Sequence, residues 1–277
     1  MTRKLLLFLA ASLSLMANAE KKRLHFEVEG VGFDMILVEG GTFTMGAGAE
    51  QAYPFDDERP QHSVKLSDYY LAETEVTQRL WNVVTGQPLS CFSGDPDLPV
   101  ENVTWEESMA FIRLLMYKTA AKFCLPTEPQ WEYAARGGRY SRHCQYAGSN
   151  KIGRVAWVGA GERPASHSTR DTIRLKEYID ASRAHTYPVA QKAPNELGLY
   201  DMSGNVAEWT ADYYAPYSKS KQKNPCGPEV GSEHVYRGGD WYFGPWGARV
   251  TRRASAPSSA HFSNVGLRLA LPRYYKM

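Results

Sequence analysis

Apart from one short N-terminal stretch, the chain has no long apolar run, no repeat, no low-complexity tract and no excess of one charge. The first absence leaves no segment of the roughly 20 apolar residues that a membrane-crossing helix needs. The near balance of 32 basic and 30 acidic residues removes the electrostatic case for nucleic acid or an anionic membrane as partner. Cysteine is scarce. Cys91, Cys124, Cys144 and Cys226 are separated by 32, 19 and 81 residues and match no metal-knuckle spacing. They are read as structural bridges or buried thiols rather than a redox site, and of the three possible pairings the sequence ranks none.

The one apolar stretch runs from Leu5 to Leu15, behind Arg3 and Lys4, and is followed by Ala17-Asn18-Ala19. A positive start, a short apolar centre and a small-x-small site read as a signal peptide over 1–19, with the mature chain starting at Glu20. The expected protein is therefore exported, periplasmic or secreted, in a compartment that permits disulfides. No cysteine follows the run to carry a lipid anchor. Cleavage removes Arg3 and Lys4 and no acid, so the mature chain has 30 charges of each sign. Gly and Pro are spread along it and mark no linker, so 20–277 is read as one domain, with ample Trp, Tyr and Phe for its core.

Regular elements are few. Residues 25–28 and 35–38 read as strands, and Gly40-Gly41 turns the second into 42–46 as a hairpin. A short helix runs from Thr77 to Val84 and stops at Gly86. Thr104-Trp105-Glu106-Glu107 has the form of a capping box opening a longer helix. On it Trp105, Met109, Ile112 and Met116 recur on one face. A third helix opens at Thr127, with Gln130 closing its capping box and Gly137 ending it. Residues 141–188 hold no sustained period. Few regular elements among many aromatic-rich loops predict a domain held by loop packing and bound ions.

Five segments in order then resemble a known family. They are Val38-Glu39-Gly40-Gly41-Thr42-Phe43-Thr44-Met45-Gly46, with Asp57 to His62 and Glu75-Val76-Thr77 behind it; Pro99 to Trp105; and Leu125-Pro126-Thr127-Glu128 to Gly138. The fourth is Pro194 to Trp209, containing Asp201-Met202-Ser203-Gly204-Asn205-Val206-Ala207-Glu208-Trp209. The fifth is Arg237-Gly238-Gly239-Asp240-Trp241, with Asn264-Val265-Gly266-Leu267-Arg268 near the end. Together, over about residues 33–271, they resemble the formylglycine-generating, sulfatase-modifying-factor family. The resemblance implies a loop-rich α+β fold related to C-type lectins.

It also implies chemistry. The family binds calcium in the fourth segment, and the pattern maps to the side chains of Asp201 and Glu208 and the carbonyls of Gly204 and Val206. Hard oxygen donors of this kind suit calcium, whose role here would be structural. A second family calcium site falls within 150–185, where Val155-Ala156-Trp157 replaces the usual Asn and no partner among Asp171, Glu177 and Asp180 stands out. In the oxygen-using enzymes two cysteines five residues apart hold copper(I), which thiolates suit. Here those positions carry Phe243 and Ala248, so copper is not expected. Cys124 stands where the family usually has an arginine.

The groove implied by the resemblance contains Asp240, Trp241, Phe243, Ala248, Arg252, His261 and Asn264. His261 with Asp240 has the residue types for acid–base work. Arg249, Arg252 and Arg253 fit buried ion pairs that pin loops. Trp241, Tyr242, Phe243 and Trp246 make the region aromatic, which suits an exported peptide, protein or glycan as ligand. The leading expectation is a non-catalytic binding or assembly module. The alternative is an enzyme of altered chemistry maturing an exported peptide or peptide-derived metabolite, and true formylglycine formation would need a thiol in the groove.

Overall fold

The computed structural model describes residues 22–160 and 185–273. The segment 1–19 expected as a signal peptide and the acids Asp171, Glu177 and Asp180 lie outside the described residues. Among the described residues three small sheets carry the domain. The first orders β1 (Arg23–Val28), β2 (Val31–Val38), β5 (Tyr69–Ala72) and β11 (Ala270–Pro272), all antiparallel. The second orders β10 (Val265–Leu267), β6 (Ala207–Tyr213), β8 (His234–Arg237) and β9 (Arg253–Ala256), with β10 parallel to β6. The third is β3 (Gly41–Met45), β4 (His62–Leu66) and β7 (Gln222–Lys223). An α+β domain of small sheets is as expected.

The strand pairing corrects one expectation. β2 does not form a hairpin with β3. It pairs with β1 and β5, and β3 pairs with β4 from Gly41↔Leu66 to Met45↔His62. Gly40 is a crossing point: a Cβ there would fall 2.4 Å from the Leu66 carbonyl oxygen, so the chain switches sheets through it.

The helices form where their caps predict. In α1 (Gln78–Thr85) the Thr77 hydroxyl accepts from Leu80 N–H, and Gly86 closes the end at φ 73°. α2 (Trp105–Thr119) has the full Thr104/Glu107 capping box, and α3 (Glu128–Ala135) the Thr127/Gln130 one. The buried side chains of α2 are Ser108, Phe111, Ile112 and Leu115, while Trp105, Met109 and Met116 only flank the core. The sequence reading was thus rotated on that helix. A single turn, α4 (Ile152–Val155), interrupts the 141–160 stretch.

Among the described residues two large apolar clusters form most of the core, one under β1, β2 and helices α1 and α2, the other around Trp131, Tyr133 and Tyr69 on α3 and β5, with two smaller ones beside them. Charges are buried with them. Arg237, Arg249, Arg253 and Arg268 are each buried to within 1%. Arg249 donates two hydrogen bonds to Glu58 (2.5 and 2.6 Å), and Arg253 donates two to Glu128 (2.8 and 2.7 Å). Arg237 bonds Glu132, which also takes Arg136 at 2.9 Å. These fork-shaped pairs join segments up to 191 residues apart and do the pinning expected of this arginine-rich stretch. The four cysteines are unpaired; Cys91 and Cys226 are exposed, so these two are neither bridges nor buried. Among the described residues no helix is long and apolar enough to cross a membrane.

Candidate functional site

The turn entering β6 is built from three left-handed residues, Asp201 (φ 56°), Gly204 (φ 81°) and Asn205 (φ 61°). Gly204 is needed for space as well, since a Cβ would lie 2.2 Å from the Trp157 carbonyl oxygen. The turn is locked by Gly204 N–H to Gly238 (2.9 Å) and Asn205 N–H to Trp157 (2.8 Å). Glu75, arriving from β5, receives Val206 N–H at 3.0 Å and Asn205 Nδ2 at 2.8 Å.

The acids of this turn have different fates. Glu208 is wholly buried. It is held by Arg268 at 2.6 Å and by Trp131 Nε1 at 2.6 Å. Asp201, 3% exposed, accepts Ala190 N–H at 2.7 Å through Oδ2, while its buried Oδ1 has no hydrogen-bond partner. Burial raises the Asp201 carboxyl to about 6. Burial, then the charges of Asp201 and Glu208, push Glu75 well above the usual carboxylate range. Three carboxyl groups thus share one guanidinium, Arg268. Among the described residues no three His, Cys, Asp or Glu side chains converge into a ready metal cage. The donors that fit a hard cation are the orphaned Asp201 oxygen and turn carbonyls, with Glu208 already engaged.

The second region is the loop that follows β8. Asp240 is buried, and its Oδ1 accepts Tyr242 N–H (2.9 Å) and Phe243 N–H (3.0 Å). Burial raises its carboxyl to about 6, against those two bonds and one from Asn264. The loop so anchored carries Trp241, Tyr242, Phe243 and Trp246, the middle of a run of rings that Phe92 and Phe55 extend at its two ends. Centroids step from Phe92 to Trp241 (5.2 Å), Tyr242 (5.9 Å), Phe243 (4.9 Å), Trp246 (5.0 Å) and Phe55 (6.1 Å). Tyr242, Phe243 and Trp246 are half-buried. The Arg252 guanidinium lies 4.5 Å from the Phe55 ring centre and 5.9 Å from that of Trp246. It stands 3.9 Å from Asp57, and burial lowers its pKa.

The geometry divides the expected groove set. Asp240, Trp241, Phe243 and Asn264 meet in this loop, with Arg252 at its edge. Ala248 does not line a groove: it is wholly buried, packed with Tyr146, Val155 and Ala156, and its carbonyl accepts from Ser203. His261 makes no acid–base pair with Asp240. Its Nδ1–H donates to the Asn102 carbonyl at 2.8 Å, and its nearest acid is Glu107 at 3.8 Å. Glu75, Arg268, Phe55, Phe92 and Asp57 join the two regions without having been singled out for them. Glu75, Asp57 and Arg268 lie in quoted motifs, but nothing in their spacing says which carboxylate meets which arginine.

Comparison with known proteins gives a concordant result. The family model of the sulfatase-modifying factor enzyme 1-like domain matches residues 27–272. Chaperone protein LppX of Paenibacillus barcinonensis is 33% identical over 76% of this chain and 79% of its own length. The formylglycine-generating enzyme of Streptomyces coelicolor is 28% identical over 85% of this chain and 88% of its own. Among solved structures, Treponema denticola variable protein 1 superposes with a TM-score of 0.75 at 27% identity, covering 90% of this chain and 99% of the other.

Proposed function

The chain belongs to the sulfatase-modifying factor enzyme 1-like family, and from that premise we propose that it is an exported, non-catalytic member that binds a peptide, protein or glycan. The observation that carries this reading is the run of six rings from Phe92 to Phe55. Four of these rings, Trp241, Tyr242, Phe243 and Trp246, occupy the loop in which the oxygen-using relatives hold their copper thiolates. Residues 240–253 contain no cysteine, so nothing there offers copper(I) the soft donor it prefers. Half-buried rings on a pinned loop are preorganised and lose little side-chain entropy on contact, which suits recognition. The name of the chaperone relative supports a binding role over a catalytic one.

Structural calcium belongs to the same proposal. Asp201 Oδ1 with the carbonyls of Gly204 and Val206 would hold it, and the surplus of buried carboxyl groups around Arg268 is what it would neutralise.

The experiment is a peptide and glycan array probed with the mature protein, repeated with Phe243→Ala and Trp246→Ala. Loss of a central aromatic anchor costs about 2 kcal/mol, a signal loss of more than tenfold. Equal signals from the wild type and both variants would refute the assignment of the ligand to this loop.

A further inference from the structure

A cavity of about 280 Å³ opens between the start of α3, the end of β6 and the loop 225–228. None of the six rings of the aromatic run lines it. Its walls include Pro129, Pro216, Pro225 and Pro228, so most of the surface is apolar. Set into it is Asp212, 3% exposed. Its Oδ2 accepts the N–H of Glu128, the first residue of α3, at 2.8 Å. Its Oδ1 faces Gly227, where a Cβ would come within 3.2 Å; a glycine at φ 71° lets the loop pass over the carboxyl group.

The charged neighbours are committed elsewhere. Glu128 takes Arg253 Nε and Nη2 at 2.8 and 2.7 Å and the Tyr217 hydroxyl at 3.2 Å. Arg253 Nη1 donates to the carbonyls of Asp57 and Ala215, so each of its nitrogens is bonded to an atom other than Asp212. From β4, His62 Nδ1–H donates to the Pro60 carbonyl at 3.2 Å, which leaves Nε2 as an acceptor. From β8, His234 hydrogen-bonds the backbone of Asp212 and Ala211 and stacks between Trp105 and Tyr213.

A carboxyl group in such a place holds either a proton or a cation. We propose that this cavity binds the head group of a small organic ammonium ion, with Asp212 as its counter-ion and His62 Nε2 as a second acceptor. An ammonium brings three N–H donors, enough for both. The apolar walls take the short carbon stem, and the volume limits the ligand to a small amine. When the cavity is empty, burial and the charge of Glu128 keep the Asp212 proton on to about pH 8. Binding therefore expels that proton.

Titration calorimetry with n-butylammonium, and with n-butanol as the uncharged control, tests the proposal. Going from pH 7 to pH 9 ionises Asp212 while the amine stays charged, so affinity should rise about tenfold. Asp212→Asn keeps an oxygen for the Glu128 N–H but removes the charge. It should weaken binding at least tenfold and abolish the pH dependence. Should that variant fail to fold, the wild type in two buffers of different ionisation heat reads the released proton directly. No binding of the amine, equal binding of butanol, unchanged affinity in Asp212→Asn, or no proton release would each overturn the proposal, the last two leaving Asp212 as a helix cap only. None of these outcomes bears on the aromatic loop.

Discussion

Arg268 grips Glu208 with Nη2 at 2.6 Å from Oε1 and Nε at 3.0 Å from both carboxylate oxygens. Its remaining donors reach the carbonyls of Ala72 at 2.9 Å and Tyr200 at 2.8 Å. One guanidinium therefore ties the end of β10 to β5, to the turn before Asp201 and to β6. Trp131 Nε1 completes the shell from α3. The pair is the joint at which two of the three sheets and a helix meet, with no water-exposed face.

Breaking one half of this pair leaves the other charged and buried. Arg268→Met and Glu208→Gln should each destabilise the domain by about 3–5 kcal/mol, measured by urea unfolding. A loss below about 1 kcal/mol in both would show that the pair is not the joint described.

Calcium should raise the melting temperature of the protein, because a ligand held only by the native state stabilises it by mass action. Chelator should lower it, and Asp201→Asn should remove most of the difference. Melting temperatures equal with and without the ion, after metal removal confirmed by elemental analysis, would contradict the assignment.

Glu101 supplies a pH test. It is wholly buried, accepts Phe92 N–H at 2.9 Å and leaves its second oxygen without a hydrogen-bond partner. Burial raises its carboxyl to about 7, the folded value above the unfolded one. The folded state then binds the proton more tightly. Its stabilising contribution is full below about pH 4 and is lost as pH rises through 7, some 3 kcal/mol in all. Glu101→Gln should flatten the stability profile between about pH 4 and 7 and leave it unchanged above. A variant profile parallel to that of the wild type would rule Glu101 out as the source.

The helices were legible because their ends are written locally: Thr77, Thr104 and Thr127 each cap a helix through bonds to residues three along. The α+β class followed from the resemblance of the five ordered segments, with which the sparse elements agree. The hairpin of β2 with β3 was misread because Gly40 switches the chain between sheets, a crossing set by the Leu66 backbone 26 residues on. The turn at 201–208 was visible as a motif, yet the partner of Glu208 lies 60 residues away. Charge pairing of this kind has no period to read. His261 and Ala248 were placed in the groove by register alone, and packing sent the first to Asn102 and the second into the core.

The non-catalytic reading is tested most directly by incubating the mature protein with copper, oxygen and a cysteine-containing sulfatase-type peptide, and following the peptide by mass spectrometry. No thiol stands in 240–253, so the account predicts a peptide unchanged in mass beyond ordinary disulfide formation, at a copper level that supports turnover by a formylglycine-generating relative run alongside. Conversion of the cysteine to the aldehyde by the wild-type chain, at a rate above the copper-only control, would contradict it.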